Sequence, residues 1–167
     1  MSYKYSKGHQ IIGDLSGSDD ANRDTGIDFE ENYIGFEAGG STIMVVSGSN
    51  VGIGTTSPAA SLHVDGSYVG KASVVSSWPH TVSSTDYIIL ATGTDSPVRK
   101  VTLPAISGQQ GRIIIVKDAS GDSSSNGLEI DGNGSETIDG AADKLISTDY
   151  GFMKLVCGAS EWHIIGQ

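Results

Sequence analysis

Apolar residues in the first half of the chain recur two positions apart. Ile27 and Phe29 are spaced this way, as are Ile34 and Phe36, with Glu30, Glu31 and Asn32 between the pairs. Such alternation describes short strands with one buried face. Gly39 and Gly40 supply a turn, residues 42–47 follow as a β-branched strand, and Gly48, Ser49 and Asn50 turn the chain into Val51 and Ile53. Pro58 breaks the pattern and Leu62 and Val64 resume it. The strands are short and the region holds few large side chains, so it is expected to borrow burial from a partner chain, because an isolated hairpin is marginal in water. Residues 2–25, ahead of it, are polar and turn-rich. They read either as an arm that docks on a neighbour or as a frayed terminus.

From about residue 74 the hydrophobes are denser. Strands are predicted at 86–92, 98–103, 112–117, 128–131, 136–138, 152–157 and 162–165, with glycine or proline turns between them. Short strands at roughly regular spacing predict a β-sandwich or barrel, of which a small antiparallel β-sandwich is the expected form. Residues 113–116 form a continuous apolar run, expected to be a central strand covered on both faces. A helical turn is predicted only at 141–146, and no amphipathic helix of three turns appears. The expected fold class is therefore all-β. Its parts are an N-terminal arm or attachment segment (1–26), a short-strand region (27–73) and a C-terminal sandwich module (74–167).

Composition narrows this picture. The 167 residues include 23 Gly, 4 Pro and, by count along the sequence, 24 Ser, while charged residues are 18%. Disordered chains combine low hydrophobicity with high charge, and neither the three-residue glycine period of collagen nor a coiled-coil composition is present. Ten Lys and Arg stand against twenty Asp and Glu, giving a net charge of -10. Nucleic-acid binding and anionic membrane surfaces both need basic clusters, so neither is an expected partner. No apolar run reaches the roughly 20 residues that span a bilayer, and residues 1–10 do not resemble a signal peptide. Synthesis in the cytoplasm is expected, with exit by lysis or within a particle.

Candidate chemistry is sparse. The single cysteine, Cys157, lies in an apolar run and reads as a small buried hydrophobe. His9, His63, His80 and His163 show no helical metal-pair spacing, and His63 and His163 are expected on outward faces of half-buried strands. No G-x-S-x-G elbow accompanies the many serines. Gly52, Gly54, Thr55 and Thr56 superficially suggest a phosphate loop, but Pro58 and further strand follow where a helix N-terminus is required. Asp118, Asp122, Glu129, Asp131, Glu136 and Asp139 cluster without any calcium-loop spacing and read as solvated turn carboxylates. Tyr68, Trp78, His80 and Tyr87 are either exposed sugar contacts or packed side chains. Neither cofactor, metal nor catalytic residue is expected, and the chain is not read as an enzyme.

One segment is distinctive. Ser49-Asn50-Val51-Gly52-Ile53-Gly54-Thr55-Thr56-Ser57-Pro58, followed by Leu62-His63-Val64, resembles a motif common in tail-fibre and related appendage proteins of tailed bacteriophages: N-V-G-I-G-T-T-x-P, then L-x-V. The preceding residues 24–46 are similar to the stretch that commonly precedes it in phages of aquatic bacteria. A looser order, Val101-Thr102-Leu103-Pro104, then Gly111 to Asp118, Ile138-Asp139-Gly140, Leu155-Val156 and Glu161 to Ile165, is similar to C-terminal fibre modules.

The resemblance implies a homotrimeric virion appendage in which residues 27–73 form a β-prism-like, trimer-forming region. Val51, Ile53, Leu62 and Val64 would then form the trimer interface, with an intrachain hairpin as the alternative. Gly52 and Gly54 would let the three chains approach closely. The autocleaving chaperone domain of many such fibres is not expected after Val64. The implied function is a short fibre contacting a host-surface glycan or protein. The alternatives are a capsid decoration protein or tail spacer held to other virion proteins by the N-terminal arm, and, more remotely, a polysaccharide depolymerase. The implied location is the virion.

Overall fold

A computed structural model of the chain describes residues 15–16, 19–93 and 99–167. The arm residues Tyr3, Tyr5, Ile11 and Ile12, as well as His9 and Val98, lie outside the described residues. The regular structure is almost entirely β. The chain divides between Val69 and Gly70 into two compact units.

The first unit is one sheet of six strands in sequence order: β1 (Leu15–Ser16), β2 (Gly26–Glu30), β3 (Tyr33–Ala38), β4 (Ser41–Ser47), β5 (Asn50–Ile53) and β6 (Leu62–Val64). The pairs from β1 to β5 are antiparallel, two-residue turns join β2 through β5, and Gly39 and Gly40 both adopt positive φ between β3 and β4. The last pair, β5 and β6, is parallel. A parallel pair needs a crossover, ordinarily of a dozen residues or more. Here residues 54–61 suffice, because Gly54 turns at φ +74° and Gly52 has no side chain in the way. A Cβ on Gly52 would collide with the Thr55 carbonyl, so the connection passes over the Gly52 face of the sheet. Asn50 fixes the connection by donating from Nδ2 to the Pro58 carbonyl at 3.3 Å.

The second unit packs two sheets face to face. Its strands are β7 (Ala72–Val75), β8 (His80–Thr81), β9 (Ile88–Ala91), β10 (Arg99–Thr102), β11 (Ile113–Asp118), β12 (Leu128–Asp131), β13 (Asp143–Ile146), β14 (Phe152–Cys157) and β15 (Trp162–Gly166). One sheet has the order β15-β14-β11-β9-β7 and the other β13-β12-β10-β8. Successive strands from β7 to β12 alternate between the sheets, and each lies parallel to its sheet neighbour two strands earlier. Each crossover is thus itself a strand of the opposite sheet. Antiparallel strands β13, β14 and β15 complete the unit.

The expectation of an antiparallel sandwich is corrected to a mixed one. Side-chain alternation has the same period in both strand directions and does not reveal which applies. Further local corrections follow. Residues 141–146 hold strand β13 rather than a helical turn, and the one helical turn among the described residues, α1, is Ser123–Asn126. Residues 136–138 form no strand; Ile138 makes only isolated bridges, to Ala141 and Trp162.

The core between the sheets is built from the inward half of each alternation. Ile89, Ala91, Val101, Leu103, Ile114, Val116, Leu128, Ile130, Ile138, Leu155 and Trp162 are fully buried there. At roughly 1.5–3 kcal/mol per buried large aliphatic side chain, this cluster is the main favourable term for the unit. Cys157 belongs to it, and burial pushes its thiol pKa up, as befits a neutral hydrophobe.

Candidate functional site: unburied apolar sheet faces

The register of the first unit lines up its alternating positions across all six strands. Leu15, Ile27, Phe36, Met44, Ile53 and Val64 pair successively in one row. Phe29, Ile34, Val46, Val51 and Leu62 pair in a second row two residues away. The period of two puts both rows on the same face. Every member is apolar, and none is buried: Leu62 is 62% exposed, Phe29 45% and Ile53 40%, with most others half-buried. Val51, Ile53, Leu62 and Val64 all lie on this face.

The opposite face carries Asp28, Gly35, Val45, Gly52 and His63 in one row. Val45 is the one fully buried hydrophobic side chain among the unit's described residues. It sits between the glycines of β3 and β5, with the Tyr33 ring over Gly35 and Thr55 over Gly52. Gly52 and Gly54 accommodate backbone of the same chain, the Thr55 and Asp65 carbonyls respectively, and Gly52 belongs to the face opposite the apolar one. By crossing the polar face, the β5–β6 connection stays off the apolar face.

The five-stranded sheet of the second unit repeats this feature. Ile114 and Val116 point into the core, while Ile113 and Ile115 are half-exposed on the outer face. The run expected to be covered on both faces is covered on one. Ile88, Leu90 and Val156 share that outer face, with Val74 69% exposed at its edge and Lys117 and Lys154 among them. The outer face of the four-stranded sheet is different in kind. There Lys100 bridges Glu129 at 2.6 Å and Asp131 at 3.2 Å. Sheets must hide an apolar face against something, and contiguous exposed apolar patches mark interaction sites.

The polar clusters are consumed by the fold. Arg99 and Asp118 are both fully buried and paired at 3.1 Å. The Asp118 carboxylate also accepts backbone N–H groups of Ser120, Gly121, Asp122, Ser123 and Tyr150. Burial by itself would raise its pKa; these donors and the guanidinium outweigh that and hold it well below the usual carboxylate range. Asp118 is thus no solvated turn carboxylate but the centre of the β11–α1 turn. Arg99 reaches Asp122 at 2.7 Å and the Ser123 hydroxyl at 2.9 Å. Glu136 accepts from the Ile106 N–H at 3.1 Å.

Asp86 gathers His80 Nε2 at 3.2 Å and the hydroxyls of Ser73 and Ser83 at 2.9 Å each. Both serines donate to the carboxylate rather than to the imidazole, whereas a nucleophilic relay needs histidine between serine and acid. Trp78 donates from Nε1 to the Thr92 carbonyl, Tyr87 lies under Gly70, and Tyr68 is 71% exposed. His63 and His163 occupy outward strand positions, His163 pairing with Asp139 at 3.0 Å. Among the described residues no three His, Cys, Asp or Glu side chains converge as a metal centre.

Pro104, residues 137–139 and Glu161 of the second unit meet around Trp162. Its Nε1 donates to the Pro104 carbonyl at 3.2 Å, its N–H to Thr137, and its carbonyl accepts from Asp139. Glu161 accepts from Gly140 N–H at 2.7 Å. These residues close the sandwich. The chain matches no known family model and no curated protein.

The buried carboxylates set the acid sensitivity. For Asp86, burial would raise the pKa, but hydrogen bonds led by the Ser83 N–H lower it from 3.8 to about 2. Asp118 is depressed in the same sense. Groups with depressed folded-state values bind fewer protons folded than unfolded, so their stabilisation is complete above about pH 5 and is lost as pH falls toward 2. Urea denaturation at stepped pH should show this decline. Asp118→Asn should flatten part of it and cost about 1–3 kcal/mol at neutral pH by removing one of the two carboxylates that face the buried Arg99 and by weakening the acceptor of the turn's N–H groups.

Proposed function

We propose that the chain is a structural protein of a phage particle, a short homotrimeric fibre that contacts the host surface. The observation that carries this is the first unit's sheet, one layer thick with an unburied face made only of apolar side chains. In a chain of net charge -10, a face free of charge is one selected for covering. A second copy of the same face is a suitable cover, since it is self-complementary in chemistry. Closed cyclic assemblies remove such faces from water without leaving an open end.

Three copies arranged about an axis would enclose the rows containing Val51, Ile53, Leu62 and Val64 and turn the polar, glycine-bearing faces outward. The outer face of the five-stranded sheet supports the same reading for the second unit. The assignment to a virion appendage rests on the resemblance at residues 49–64.

Light scattering at micromolar concentration should give three times the 17.3 kDa chain mass. In a monomer, Ile53→Asp would be nearly silent, because surface substitutions typically change stability by about 0.5 kcal/mol or less. In the trimer it should dissociate the assembly and lower the melting temperature. A wild-type mass of 17.3 kDa, or a variant with unchanged mass and melting, would refute the shared-face assembly. Gold-labelled antibody to the chain should mark particles at the tail for a fibre and over the head for a decoration protein.

A further inference from the structure

The connection from β13 to β14 holds a braced, exposed aromatic ring. Tyr150 adopts φ +57°, a conformation that non-glycine residues rarely take. Its N–H donates to Asp118 at 3.1 Å, and its carbonyl accepts from the Lys117 ammonium. The Lys117 ammonium lies 5.5 Å from the ring centroid, and the ring rests against Gly121, where any Cβ would collide with it. The ring is thus held by Gly121 and Lys117, yet the residue is 63% exposed.

It borders a cleft of about 420 Å³, within the roughly 300–1,000 Å³ usual for small-molecule sites. Leu145 and Phe152, both substantially exposed, supply further apolar lining, and Ser147 and Thr148 bring hydroxyls. Asp149 completes the polar side, pinned by the Ser124 N–H at 2.8 Å, which holds its carboxyl below the usual range.

This combination selects a ligand class. No Lys, Arg or His lines the cleft, the neighbouring Lys117 ammonium is engaged by the Tyr150 carbonyl and ring, and the cleft carries an ionised carboxylate, so phosphates and acidic sugars are disfavoured. A wholly apolar ligand would desolvate the hydroxyls and the carboxylate without replacing their hydrogen bonds. A pyranose offers what remains: an apolar C–H face for a fixed ring and hydroxyls for Asp149, Ser147 and Thr148. We propose that this cleft binds a neutral or amino saccharide through stacking on Tyr150 and hydrogen bonding to Asp149. As the point of host contact it rests on the fibre reading above, whereas its chemistry requires only the second unit.

The test applies the full chain to a printed panel of neutral, amino and acidic oligosaccharides, then titrates the best binder, with molecular mass measured on the same preparation. Binding should fall among the neutral or amino members. Tyr150→Gly suits the positive φ, so it should fold with unchanged melting while binding at least about tenfold more weakly; Tyr150→Phe should retain binding. Silence across the neutral and amino members, preference for acidic ones, or full binding by Tyr150→Gly overturns the proposal. A trimer without sugar binding refutes the cleft alone, and a sugar-binding monomer refutes the trimer alone.

Discussion

A sheet one layer thick leaves its second face to be covered from beyond its own strands. In the first unit that condition governs everything else. Six strands satisfy one another's backbone groups edge to edge, but pairing along the sheet does nothing for side chains that stand perpendicular to it. The Thr55 connection and the Tyr33 ring shelter Val45 on the polar face. The rows running from Leu15 to Val64 and from Phe29 to Leu62 hold no fully buried side chain. Three or more strands become independently stable when their hydrophobic face is packed, and here the packing has to come from outside the strands themselves.

The second unit solves the same problem differently. By passing from sheet to sheet at every strand between β7 and β12, the chain builds two layers at once and buries one face of each. The parallel arrangement leaves the ends of the strands to be connected by turns that reverse sharply, and one of them closes around a buried charge. Arg99 enters from β10 and Asp118 from β11, so the pair ties the two sheets together at the α1 turn. Such a pair contributes little net energy compared with an apolar replacement but is costly to break on one side. It fixes geometry, including the position of Tyr150 through its N–H.

Much of this was legible in the chain. Alternation located β2 to β6 and, β13 excepted, the strands from β9 onward, because each has one face in water or half in water, and the period survives. Val51, Ile53, Leu62 and Val64 fall on one face simply because β5 and β6 pair in register. Strand direction was not legible, since parallel and antiparallel strands share a period; nor were β7 and β8, whose Ser73 and His80 serve Asp86 rather than a hydrophobic pattern. Asp118 looked like one turn carboxylate among several. Its burial depends on Arg99, nineteen residues away, and no local pattern announces such a pair. Tyr150 gave no signal either, because a positive φ in a non-glycine residue follows from the hydrogen bonds around it.

Methionine oxidation tests the central claim most directly, because the chain carries its own probe and control. Met44 stands in the apolar row between Phe36 and Ile53, and Met153 is buried in the sandwich core at 3% exposure. Peroxide converts accessible methionines to sulfoxide, and mass spectrometry of peptides reads the two sites separately. If copies of the chain cover the sheet, Met44 at micromolar concentration should react as slowly as Met153 and become reactive only when dilution dissociates the assembly. Rapid oxidation of Met44 at every concentration, with Met153 protected throughout, would contradict the account.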